Sequence, residues 1–151
     1  MQTSSIISSA ITRLTYLCET IPALLRVIDD HSFSEKTGGK WSKKEILGHL
    51  IDSATNNHQR FVRGQFEQIP KITYNQDQWN ACNFYQEISP GQIIDFWTVY
   101  NRQLLELIKN IPAERLEHKI NTGGREDLSI GFLIGDYVEH LEHHLRQVVA
   151  Y

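Results

Sequence analysis

Asp136-Tyr137-Val138-Glu139-His140-Leu141-Glu142-His143-His144-Leu145 is the stretch on which the fold turns. As a helix it places Leu133, Tyr137, Leu141 and Val148 on or beside one face. His140 and His144, four residues apart, stand one turn above the other on that same face. An apolar face points into a core, and two imidazoles there need a partner; a metal ion is the obvious one. The stretch holds three of the chain's seven histidines, but the spacing alone is weak evidence, because seven histidines in 151 residues can form such a pair by chance. The argument strengthens with His49, in the middle of a second amphipathic segment. Two ligands from one helix and one from another leave a coordination position free, the layout of a catalytic rather than a structural zinc site.

Outward from that stretch, the same four-three spacing recurs. Ile7, Ile11, Leu14, Cys18, Ile21, Leu25 and Ile28 form one apolar seam over residues 4 to 28, with Pro22 expected to kink or break it and Thr20 available to cap a second piece. Residues 29 to 40 are polar, end in Gly38-Gly39 and read as a loop. Ser42 and Glu45 form a capping box ahead of Ile46, Leu47, Leu50, Ala54 and Phe61, a helix expected to fade near Gln68. Residues 70 to 88 form a long connection that holds Tyr74, Trp79, Phe84 and Tyr85, aromatics placed either to cover a pocket or to anchor a crossover. Ser89, Pro90 and Gln92 open a third helix with Ile93, Trp97, Tyr100, Leu104, Leu107 and Ile111 on its seam, stopped by Pro112. Ser129 caps the last helix, expected to run to the C-terminus. Four amphipathic helices without strand-like alternation indicate an all-α, four-helix bundle, a single domain over residues 1–151. A crossover between the second and third helices would bring the second and fourth together around the ion. Phe96, Trp97 and Tyr100 exceed what one seam needs, so a dimer face on the third helix is expected.

Composition narrows the class. The chain has 151 residues, 40% hydrophobic and 22% charged, the profile of a soluble globular protein. A net charge of −3 argues against a nucleic-acid binder working by phosphate neutralisation. No apolar run is long enough to span a membrane, and the N-terminus lacks the pattern of a secretory signal. Cys18 and Cys82 stand outside any metal-binding spacing and read as reduced thiols of a cytoplasmic protein.

The candidate ligands are therefore His49, His140 and His144. Three neutral imidazoles suit zinc, nickel, copper or iron; zinc is the default for chemistry without redox. Carboxylates placed to steer the imidazoles are Asp52, three residues after His49, Asp136, four before His140, and Glu45, four before His49. Asn56 and Arg60 continue the polar line below His49, and Arg60, or less directly Arg63, is placed to hold a substrate carboxylate; with Trp79 of the connection, Asn56 and Arg60 are the candidate substrate contacts. His31, His58, His118 and His143 receive no ligand role. The H-E-x-x-H peptidase motif is absent, since Leu141 follows His140 and Glu142 turns away from it. No P-C-x-x-C accompanies a histidine, which excludes the zinc deaminases.

Three segments carry a family resemblance. Gly39-Lys40-Trp41-Ser42-Lys43-Lys44-Glu45-Ile46-Leu47-Gly48-His49-Leu50-Ile51-Asp52 resembles the helix-2 signature of the DinB/YfiT-like superfamily, and residues 136 to 147 resemble its helix-4 signature, H-x-x-H-H-x-x-Q. Tyr74-Asn75-Gln76-Asp77-Gln78-Trp79 is similar to a loop of one branch. The resemblance extends over residues 6 to 151. It implies an up-down-down-up bundle with a long helix 2–3 crossover, often dimeric, and a divalent metal, zinc or nickel, on His49, His140 and His144. Characterised relatives include bacillithiol-dependent S-transferases and mycothiol-dependent isomerases. The resemblance thus implies activation of a low-molecular-weight thiol toward an electrophile. Two alternatives stand beside it: a hydrolase activating water at the same ion, and a non-catalytic metal-binding or stress-response module.

Overall fold

The computed structural model describes residues 2–151. Among these, four long helices make the bundle: α1 (Gln2–Arg26), α3 (Lys43–Arg63), α5 (Pro90–Asn110) and α6 (Ile130–Leu145). Two short helices, α2 (Asp30–Ser34) and α4 (Gln76–Cys82), sit in the connections, and β1 (Lys119–Ile120) pairs antiparallel with β2 (Leu128–Ser129) ahead of α6. Each long helix buries its apolar seam in one shared core, where Leu14, Leu17, Ile21, Leu47, Leu50, Trp97, Leu104, Ile134 and Leu141 are sealed from solvent.

Packing pairs fix the directions of the helices. Thr3 lies on Gly131, Ile6 on Gly135 and Arg13 on Glu142, so α1 and α6 run parallel. Tyr85, just before α5, lies on Gly48 and Tyr100 on His58, so α3 and α5 run parallel. His49 meets His144 while Phe61 meets Tyr137, so α3 and α6 oppose each other. Arg26 meets Asp95 while the Arg102 cation acts on Cys18, which sets α5 against α1. The sense is up-down-down-up, and the parallel pair α3–α5 requires the long crossover.

The capping signals act as read. Ser42 Oγ accepts from the Glu45 amide at 3.1 Å while Glu45 Oε1 accepts from the Ser42 amide at 3.1 Å. Ser89 and Ser129 cap α5 and α6. Five expectations need correction. Pro22 does not break α1, because Leu17, Cys18, Ile21 and Leu25 on either side of it are all buried and hold the turn closed; Thr20 caps nothing. The 29–40 segment contains α2, capped by Asp29 and anchored by buried Phe33. The helix opened by Ser42 ends at Arg63, not near Gln68: a Cβ on Gly64 would come within 2.3 Å of Ile120 Cδ1, so the chain turns off at that glycine against β1. The 70–88 crossover is not bare loop, since Asn75 caps α4 with its side chain. The last helix stops at Leu145, not at the C-terminus. On α5 Trp97 is fully buried in the core, as its place on the seam implies, while Phe96, stacked on Tyr100, and Val99 are exposed. No helix among the described residues is long and apolar enough to cross a membrane.

Candidate metal centre

The site forms where the first half of α3 passes the second half of α6. The Ser42 cap sets the register of α3 and so the face on which His49 emerges, fully buried. His140 and His144 face it from successive turns of α6. The ligand-capable atoms of His49, His140 and His144 all lie within 4.8 Å of one another. His49 Nε2 stands 3.1 Å from His140 Nε2, and the three ring centroids are 4.6, 4.8 and 5.0 Å apart. Tetrahedral nitrogens at bond lengths of about 2.0–2.1 Å sit roughly 3.3 Å apart, so small side-chain adjustments suffice to close the three around one ion.

The chemistry of the donor set fits a cation. Burial, reinforced by the charges of the neighbouring imidazoles, depresses His49 to about 3 and His140 to about 4. Both rings are therefore neutral near pH 7, with lone pairs available. His144 Nδ1 lies 3.1 Å from Gln147 Oε1, an acceptor that keeps the proton on Nδ1 and leaves Nε2 free to ligate. His49 Nδ1 is buried without a partner. The Trp41 ring, centroid 4.9 Å from that of His49, walls one side.

The carboxylates sort differently from expectation. Glu45 is committed to the capping box and to Lys36, so it does not steer His49. Asp136 is exposed and acts on the Arg60 charge rather than on His140. Asp52 is buried; its Oδ1 accepts from Tyr85 Oη at 2.5 Å and Asn83 Nδ2 at 2.9 Å, and its Oδ2 has no partner. Burial raises its carboxyl to about 6, against the opposing pull of the two donors.

Of the expected substrate contacts, Arg60 donates through Nε and Nη2 to the Ile72 carbonyl, tying down the start of the crossover. Asn56 donates to the Asp52 carbonyl of its own helix. Trp79 is half-buried and packs edge-on against Tyr74, ring centroids 5.8 Å apart. His143 is exposed beside Gln147, and Glu142 is paired with Arg13. Gly48 and Asn83 were not singled out from sequence, and Tyr85 only as one of the aromatics of the connection. A glycine inside a helix costs about 1 kcal/mol against alanine and asks for a packing reason, and that signal preceded His49 in plain view.

The buried imidazoles make the metal-free protein acid-sensitive. His49 and His140 have folded pKa values below the unfolded value of about 6.5, so on acidification the unfolded chain takes up protons that the fold refuses. Asp52 acts in the opposite sense, holding in the fold a proton that the unfolded chain has shed above its pKa of about 3.9. Two groups against one leave about one proton in favour of the unfolded state near pH 5. Stability is expected to fall by about 1 kcal/mol per pH unit there, after discounting for the partly exposed His140. Thermal melts of metal-free protein from pH 6.5 to 4 should show Tm dropping roughly 2–4 °C per unit; a Tm that rises over that window contradicts buried neutral imidazoles.

A four-helix bundle with a three-histidine metal-binding cluster between two antiparallel helices is the class that fold and site define. The chain belongs to the DinB superfamily, whose sequence model matches residues 13–148. A protein from Oceanobacillus iheyensis named as a candidate metal-dependent hydrolase is 26% identical over 140 residues, 87% of this chain and 80% of the relative. The similarly named YfiT of Bacillus subtilis is 20% identical over 137 residues, 86% of this chain and 77% of YfiT. A solved structure of YfiT, described as a probable metal-dependent hydrolase with an unusual four-helix bundle topology, superposes with a TM-score of 0.85 at 19% identity, covering 94% of this chain and 83% of the other. A mycothiol-dependent maleylpyruvate isomerase superposes with a TM-score of 0.77 at 10% identity, covering 94% of this chain and 60% of the other.

Proposed function

We propose that the protein is a metal-dependent enzyme that activates a low-molecular-weight thiol for transfer to an electrophile, with zinc, or failing that nickel, held by His49, His140 and His144. The observation that carries the reading is the composition of the cluster: three imidazoles, two of them held neutral by burial, and no carboxylate among them. When bound, the cation supplies Lewis acidity at an open position, lowering the pKa of a thiol or water ligand. A thiol ionised in that way needs no separate base, and no described carboxylate hydrogen-bonds the three rings. The chain's own part is to orient and to exclude water. Gln147 holds the His144 proton away from the centre, Trp41 covers His49, and Tyr74 with Trp79 places an aromatic surface in the crossover beside α3. The thiol-dependent activity named for the isomerase of the same fold supports this choice.

Hydrolysis is the second reading, supported by the names of the bacterial relatives. It needs a base within hydrogen-bond reach of the nucleophilic water. Asp52 is the one carboxylate of the three candidates with a buried, unpaired oxygen. Protein reconstituted with zinc or with nickel, assayed with small thiols and an activated aryl halide, and in parallel with ester and amide panels without thiol, separates the readings. Chelator-sensitive thiol conjugation is the expected result. Turnover only in the thiol-free panels establishes the hydrolase, and none in either panel with full metal loading establishes a non-catalytic metal-binding module.

A further inference from the structure

The geometry points to Asp52 as the positioning residue of the metal centre: its Oδ2 and His49 Nδ1 are not bonded to each other in the structure, and when the three imidazoles close on an ion Oδ2 accepts the Nδ1 proton of His49, through one water or a small side-chain rotation, and so aims His49 Nε2 at His140 and His144. The inference rests on the three-histidine metal reading. Two buried polar atoms among the described residues of α3 lack a partner, His49 Nδ1 and Asp52 Oδ2. They are complementary, one a donor in the tautomer that frees Nε2, the other an obligate acceptor. They stand three residues apart, on side chains whose Cβ atoms are separated by roughly 5–6 Å, a span that one water or a small side-chain rotation closes.

The surroundings of Asp52 set which oxygen is left over. At 100° per residue, Asp52 projects between Gly48 and His49 on the helical wheel. The Tyr85 ring lies flush on Gly48, so close that a Cβ there would come within 2.2 Å of it. From that side Tyr85 Oη, joined by Asn83 Nδ2, takes Oδ1. Oδ2 is left over, buried and without a partner. Between the two donors Phe84 is held in the left-handed region at φ 54, a conformation that costs a non-glycine residue energy and that here lets both of its neighbours reach one oxygen. The crossover therefore holds Asp52, and Asp52 holds His49. The 3.1 Å approach of His49 Nε2 to His140 Nε2 agrees with this tautomer, in which His49 accepts and His140 donates when no metal intervenes.

Two measurements test the assignment without any substrate. In metal-free wild-type protein, long-range ¹H–¹⁵N spectra should show His49 protonated at Nδ1; protonation at Nε2 overturns the proposal. In zinc(II) competition against a chromogenic chelator, Asp52→Ala should bind zinc roughly 10–100-fold more weakly than wild type. Asp52→Asn, which keeps one acceptor oxygen, should recover part of that loss. Tyr85→Phe should lower Tm while changing zinc affinity less than Asp52→Ala does, which separates lost packing from a lost acceptor. A folded Asp52→Ala variant that binds zinc within threefold of wild type overturns the proposal, and if that variant does not fold, the tautomer decides. Wild-type protein with no zinc affinity overturns the metal reading itself, an outcome distinct from either.

Discussion

His140→Ala is expected to weaken binding of zinc roughly 10²–10³-fold and to abolish metal-dependent turnover. Structural zinc sites with four ligands bind with about 10–16 kcal/mol, or about 2.5–4 kcal/mol per ligand, and each 1.4 kcal/mol is a factor of ten. His140 is the informative ligand to remove. His49 is wholly buried beneath Trp41, so alanine there would open a cavity and confound metal loss with collapse of the core. His140 is only half-buried and its ring is held at a depressed pKa by burial, so the metal-free variant should melt close to wild type. The contrast appears on adding zinc. At a hundredfold excess over Kd the wild type gains about 2.7 kcal/mol, a rise of roughly 5–10 °C in Tm. The variant should show almost none of it at the same concentration. Zinc affinity within tenfold of wild type would show that the cluster is not the metal centre.

The sequence carried the bundle because its signals are local and redundant. Each long helix has an apolar seam, and three of the four open on a serine cap, Ser42, Ser89 or Ser129, whose side chain does what its position implies. The three histidines were legible for the same reason: two are fixed by helical period, and the third stands in the middle of a second amphipathic helix, at the edge of its apolar face. What sequence could not supply depends on contacts across the fold. Glu45 and Asp136 have spacings toward the ligands as good as that of Asp52, yet one closes a cap and the other faces outward. Arg60 lies in line with His49 and still spends its donors on a backbone carbonyl twelve residues away. Only the crossover's path decides these cases, and that path is set by short elements such as α4, too brief for periodicity to reveal. Pro22 is the reverse case, where a strong local signal is overruled by the burial of Leu17, Cys18, Ile21 and Leu25.

Gly48→Ala is expected to destabilise the protein by about 2 kcal/mol, although the substitution favours a helix. In an exposed helix interior it would gain about 1 kcal/mol. Here the new methyl would stand 2.2, 2.4 and 2.5 Å from Cδ2, Cγ and Cε2 of Tyr85. Tyr85 has little freedom to withdraw, since its ring is buried and its hydroxyl is bonded to Asp52. Overpacking of this kind costs about 1–3 kcal/mol, and pulling the hydroxyl from a buried carboxylate costs about 1–3 kcal/mol more. Set against the helical gain, the net loss should lower Tm by roughly 4–8 °C. Gly91→Ala is the matched control: it lies in the first turn of α5 with nothing within 4 Å of the added carbon, and should leave Tm unchanged or slightly raised. A double-mutant cycle identifies the contact responsible. In a Tyr85→Ala background, which is itself destabilised by loss of the ring, the clash is gone and Gly48→Ala should become stabilising by about 1 kcal/mol. If alanine at position 48 destabilises equally in both backgrounds, its cost lies elsewhere than Tyr85, and the glycine is not what lets the crossover close on the histidine beside it.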